Sequence, residues 1–170
     1  KKELALFAQI PLVSRIQIDV VDGRFATPVS WPYNAPAEFQ TMVATTEMLP
    51  YCDRIEYEID LMCLDAERAA AAWLALGAAR LTFHAESATD LPRLLASARG
   101  HFDDGGGVVS FGLALNIASD LALIEQNIGS IQYVQFMGIS RIGRLGQSFD
   151  THVFENVRVF RDRHPGFSMQ

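Results

Sequence analysis

Two carboxylates and an amide in the run Gln17-Ile18-Asp19-Val20-Val21-Asp22-Gly23 are the residues best spaced to do chemistry. Ile16 to Val21 is an apolar, alternating run, so it reads as a strand that delivers an acid at its carboxyl end. Parallel α/β proteins keep their chemistry at that end. A carboxylate placed there, such as Asp19, reads as a candidate general acid or base or as a strand-end aspartate satisfied by backbone amides. Gln17 points the same way as Asp19 on a period-two strand and joins it as a pocket residue. Asp22 precedes a glycine and reads as a turn or cap residue. Farther on, Glu58 and Asp60 share one face of another strand. Asp60 reads as a pocket residue or ligand, or as a salt-bridged structural group. Glu58 lies deeper and reads as a paired glutamate. His84 ends a third strand and reads as a hydrogen-bonded core histidine.

The elements that must position these residues follow from periodicity and punctuation. Residues 1–10 form the tail of a helix ended by Pro11. Strands are predicted over 15–20, 54–62, 80–84, 108–115 and 131–137, with another beginning at 167–170. Helices are predicted over 37–48, 66–76, 88–99, 120–127 and 150–164. Asp65 and Ser119 are the expected N-caps of two of them, and Gly77 ends the alanine-rich one. Residues 22–36 form a long loop with Pro28, Pro32, Pro36, Trp31 and Tyr33, and Gly105 to Gly107 mark a break. Strands alternating with helices of roughly 10–15 residues imply βαβ units and a parallel sheet. No Gly-x-Gly-x-x-Gly follows the first strand, which argues against a dinucleotide site.

The composition narrows the classes. The 170 residues suit one α/β domain with a sizeable core. A net charge of −6 without a basic stripe disfavours nucleic acid as a partner. No apolar run approaches the roughly 18 residues that span a bilayer, so no membrane partner is expected. Cys52 and Cys63 are too few for a disulfide framework, and a cytoplasmic location is the default expectation.

Taken in order, the strand ends resemble the ribulose-phosphate 3-epimerase family. The pieces are residues 18–25, Glu58-Ile59-Asp60-Leu61-Met62, Thr82-Phe83-His84-Ala85-Glu86, Gly112 to Asn116, and Met137 with Gly146-Gln147-Ser148-Phe149. The resemblance implies a (β/α)8 TIM barrel of the ribulose-phosphate-binding type. Residues 1–170 would then be one barrel domain covered from about strand 2 to the edge of strand 7, incomplete at both ends. It implies a sugar-phosphate isomerase that moves a proton next to a carbonyl through an enediolate, with Asp19 as the acid/base. Gln17, Met62, Met137, Gly146 and Gln147 become substrate-binding positions, although Met62 and Met137 also suit apolar filling of a barrel. The implied partner is a phosphorylated sugar, and a homo-oligomer is compatible with the resemblance.

The same resemblance implies a divalent metal, magnesium, manganese or zinc, with Asp19 and Asp60 as its ligands here. The family has histidines where this chain has Gln17 and Asp60, which shifts preference towards hard, oxygen-loving ions or towards no metal. The family's glycine-rich turn is also altered. Arg141 and Arg144 stand in it, suited to an anionic group or simply to solvent. Two alternatives remain beside the isomerase: another metal-dependent reaction on a sugar phosphate, and a non-catalytic barrel that binds a ligand or partner. The Asp-x-Lys-x-x-Asp of related decarboxylases is absent, since the strand reads Glu58-Ile59-Asp60-Leu61-Met62-Cys63. Trp31 and Tyr33 read as part of a lid or as loop anchors.

Overall fold

The structure, a computed structural model, describes residues 2–100 and 109–170. The expected break at Gly105 to Gly107 lies outside the described residues. Six strands, β1 (Arg15–Val21), β2 (Glu56–Met62), β3 (Arg80–His84), β4 (Ser110–Leu115), β5 (Tyr133–Phe136) and β6 (Ser168–Met169), form one sheet in sequence order, all parallel. Between them run α2 (Pro36–Ala44), α3 (Ala66–Ala75), α4 (Leu91–Gly100), α5 (Ala122–Glu125) and α6 (Val153–Arg163), with α1 (Lys2–Phe7) ahead of β1. The alternation expected from the sequence is the alternation found.

Parity divides the residues of each strand. Ile59, Leu61, Leu81, Phe83, Phe111, Leu113, Leu115 and Val134 are buried in the main apolar core. Against them α3 sets Ala66, Ala69, Ala70, Trp73 and Leu74, all buried. That spacing makes one apolar helical stripe, and its alanines let the helix approach the sheet closely. Burying a side chain such as Leu74 contributes roughly 1.5–3 kcal/mol. The helix gives way to Gly77, whose φ of +93° is one that few other residues adopt.

The other face of the sheet is polar and curls inward. A hydrogen bond of 3.0 Å joins Gln135 of β5 to Asp60 of β2, and one of 3.2 Å joins Gln170 to Glu58. In a flat sheet β2 and β5 would stand about 14 Å apart, too far for such contacts. The sheet therefore bends around an interior, as a β/α barrel does. Low in that interior Glu58 is paired with Arg80 at 3.0 Å, and the Arg80 guanidinium sits 3.9 Å over the Tyr133 ring. Gly112 makes room for that ring, since a Cβ there would lie 2.2 Å from it.

Several local expectations are corrected. Asp65 makes no capping bond to α3; its carboxylate accepts from the Tyr33 hydroxyl and from Arg68. The predicted helix 120–127 shrinks to the four residues of α5 and a 3-10 turn, Ile128–Ser130. The Asp120 carboxylate, not Ser119, takes the amide of Ala122 at 2.9 Å, because it stands closer to the first turn. Helices expected over 37–48 and 88–99 begin or end several residues inside those bounds, at Ala44 and Leu91. No helix among the described residues is long and apolar enough to cross a membrane.

Candidate active site

The carboxyl ends of β1, β2 and β5 meet at a cavity of about 280 Å³, lined by Gln17, Asp19, Asp60, Met62, Gln135, Met137 and Arg144 among others. Parallel pairing sets Asp19 opposite Asp60, and Gln17 opposite Glu58. The loop after β1 holds Asp19 in place. Ser30 Oγ donates to the Asp19 carbonyl at 2.8 Å and accepts from the Val21 amide at 2.8 Å. These groups lie on the edge of β1 that β2 does not use. Asp22 serves this loop: it accepts from the amides of Arg24, Phe25 and Leu64, the turn role expected of it.

The two cavity carboxylates differ in environment. Asp19 Oδ1 accepts from Gln17 Nε2 at 2.9 Å, while Oδ2 has no hydrogen-bond partner among the described residues. Burial, first among the causes, holds its carboxyl above the ordinary aspartate value of 3.8; the Gln17 hydrogen bond lowers it and the nearby Asp60 charge raises it. Asp60 is only 2% exposed, and both its oxygens are engaged. Oδ1 accepts from His84 Nε2 at 3.0 Å and Oδ2 from Gln135 Nε2 at 3.0 Å. His84 is therefore the hydrogen-bonded core histidine expected of it.

The divalent metal implied by the resemblance can be tested against these donors. N–H groups of Gln17, His84 and Gln135 already point at three of the four carboxylate oxygens of Asp19 and Asp60. A cation at Asp60 would face the positive ends of those dipoles. Among the described residues no cluster of three histidine, cysteine or acidic side chains could hold a metal ion. The residues present do not fit a preformed divalent site.

Of the positions singled out from sequence, Gln17, Asp19, Asp60, Met62 and Met137 line this cavity together. Gly146 and Gln147 do not. Gln147 spends its amide inside its own loop, accepting from the Arg141 amide and donating to the carbonyls of Arg141 and Arg144. Trp31 stacks edge-on with Phe39 and Trp73 at 5.5 and 5.4 Å, away from the cavity, and Tyr33 is tied to Asp65. Both anchor the loop. Sequence reasoning passed over Gln135. Its signal was parity: on β5 it lies two residues from Met137 and two from Tyr133, so it faces the interior with them.

Fold and site together define a β/α-barrel protein with an acid at the carboxyl end of its strands, the end at which such barrels keep their active sites. The chain belongs to the ribulose-phosphate 3 epimerase family, whose model matches residues 7–169. No curated protein matched the chain.

Proposed function

We propose that this protein is a sugar-phosphate isomerase of the epimerase type, with Asp19 as the group that takes and returns the proton next to a carbonyl. The observation that carries the reading is the Asp19 carboxylate. It lies at the strand end and lines the cavity, with one oxygen held by Gln17 and the other free to receive a proton. Its raised pKa brings it nearer to working pH, which improves a general base. The Gln17 amide orients the carboxylate. Asp60 does different work: locked by His84 and Gln135, it fixes the cavity wall. The second acid of a two-base epimerisation, by the family resemblance, belongs farther along the strand that begins at Ser168. A phosphorylated sugar as ligand and a cytoplasmic setting belong to the same proposal.

The test follows ribulose 5-phosphate in D2O by NMR, with and without magnesium or manganese. The expected result is loss of the C3 proton signal with the wild-type protein, and a rate lower by roughly 10²–10⁴-fold for Asp19→Asn. Absence of exchange under every condition would sink the isomerase reading. A non-catalytic barrel is the second reading, and one observation favours it: the donor hydrogens around Asp60 leave no place prepared for the metal on which the family chemistry relies. Any turnover that depends on Asp19 would overturn that alternative.

A further inference from the structure

The loop from Gly138 to Asp150 follows β5 and carries Arg144 to the rim of the acid cavity, with Arg141 at a neighbouring one. It is pinned at several points. The Asp150 amide donates to the Gly138 carbonyl at 2.9 Å and closes its base. Gln147 ties the backbone at Arg141 and Arg144 with bonds of 3.1, 2.7 and 2.7 Å. Ile142 packs against the small cluster of Val21, Ala26 and Met62. Gly143, with φ of +79°, lies so close to the loop after β1 that a Cβ would come within 3.1 Å of Ala26 Cβ and 3.2 Å of the Thr27 carbonyl. This loop thus has a defined backbone, and the arginine side chains are its free parts. Among the described residues neither guanidinium has a hydrogen bond or an ion pair.

We infer that Arg144 is an anion-binding residue of the cavity and holds the phosphate of a phosphorylated ligand while the ligand's carbon end reaches Asp19. This deepens the proposed function and rests on it for the identity of the ligand. Arg144 lines the cavity of Asp19 and Asp60 and also the adjoining one of about 410 Å³, lined by Thr27, Pro28, Arg144 and Leu145. A dianion cannot sit beside the carboxylates of Asp19 and Asp60, because like charges repel. It must sit at the rim, and there the guanidinium offers a planar fork of donors that matches phosphate oxygens. Arg141 and Arg144 both line a further cavity of about 470 Å³ together with Glu86, whose Oε2 is buried without a partner among the described residues. Of the two arginines, Arg144 alone also lines the cavity of Asp19, so the assignment falls on it.

The experiment titrates inorganic phosphate into the protein and reads the arginine Nε–H signals by NMR, with ribulose 5-phosphate as a second titrant. Three variants decide it: Arg144→Ala, Arg144→Lys, and Arg161→Ala, which removes the same charge from exposed α6. Wild type and Arg161→Ala are expected to bind alike. Arg144→Ala is expected to weaken binding roughly tenfold or more, because a charge-assisted bidentate contact is lost. Arg144→Lys should recover only part of it, since it keeps the charge without the fork. Equal weakening by Arg144→Ala and Arg161→Ala would reduce the effect to net charge and overturn the assignment. So would phosphate binding unaffected by Arg144→Ala, or no phosphate binding by the wild type. The readout is binding, so a protein that binds phosphate through Arg144 but exchanges no C3 proton would fail the proposed function and keep this one.

Discussion

Asp60 and His84 are joined by a 3.0 Å hydrogen bond in which both side chains are almost wholly buried, at 2% and 0% exposure. The carboxylate accepts, so His84 Nε2 carries the proton. Nδ1 of the same ring is buried with no partner among the described residues. A proton on Nδ1 would be a buried donor without a partner, at a cost of about 1–3 kcal/mol. The tautomer with its proton on Nε2 is the one this geometry supports. Asp60 thereby becomes a structural hub that spans β2, β3 and β5, rather than a group waiting for a ligand.

Removing that hub should unfold the protein more easily. Asp60→Ala leaves the N–H groups of His84 and Gln135 facing a small void. The expected loss is about 1–3 kcal/mol for each donor left unsatisfied. Urea unfolding followed by circular dichroism would show a lower midpoint at an unchanged slope. An unchanged midpoint would mean that the carboxylate's own desolvation cost cancels its hydrogen bonds.

Asp19 should give the activity and the stability opposite pH dependences. Its carboxyl lies above the ordinary 3.8 in the folded protein, so the folded state holds the proton more tightly than the unfolded chain. This group therefore favours folding below its unfolded value. That contribution fades as pH rises through the window between 3.8 and the raised value. A base must be ionised, so proton exchange should fall as pH drops through the raised value. The rate profile of the wild type should show this acid limb above the ordinary aspartate range. A limb no higher than that of a free aspartate would remove the argument for a buried base.

Gly112 sits where β4 passes the Tyr133 ring. Gly112→Ala puts a Cβ within 2.2 Å of the ring and forces it off the Thr82 hydroxyl, which it meets at 2.8 Å. Overpacking of this kind costs about 1–3 kcal/mol. Thermal unfolding should report it as a lower midpoint, and Tyr133→Leu in the same chain should relieve part of the loss by vacating the space.

The two cysteines should react at different rates. Cys52 is exposed, while Cys63 is buried and its thiol is pushed up to about 12, chiefly by burial. The thiolate is the reactive form. A maleimide or disulfide reagent at neutral pH should label one thiol promptly in the folded protein and the second only in denaturant. Prompt labelling of Cys63 would place it outside the core.

Much of the fold was legible because it is local. The period-two pattern of Ile16 to Val21 and of β2 announces strands, and the spacing of Ala66, Ala69, Ala70, Trp73 and Leu74 announces a helix packed on one face. Boundaries were less legible. The 3-10 turn at Ile128–Ser130 packs on α4, and Glu125 at the end of α5 pairs with Arg163 of α6, partners that no local window contains.

The candidate site divides the same way. By itself the sequence determined that Gln17 and Asp19 share a face, that Glu58 and Asp60 do too, and that both pairs end at the carboxyl side of a parallel sheet. Those statements rest on side-chain alternation along a single strand, which every strand obeys. Only the tertiary structure decided which acid is free. Gln135 reaches Asp60 from 75 residues away, and His84 reaches it from 24. Those meetings depend on strand register and on the curl of the sheet. Register and curl come from the whole barrel's packing, so the same Asp60 reads as a ligand in the sequence and as a satisfied structural acid in the fold.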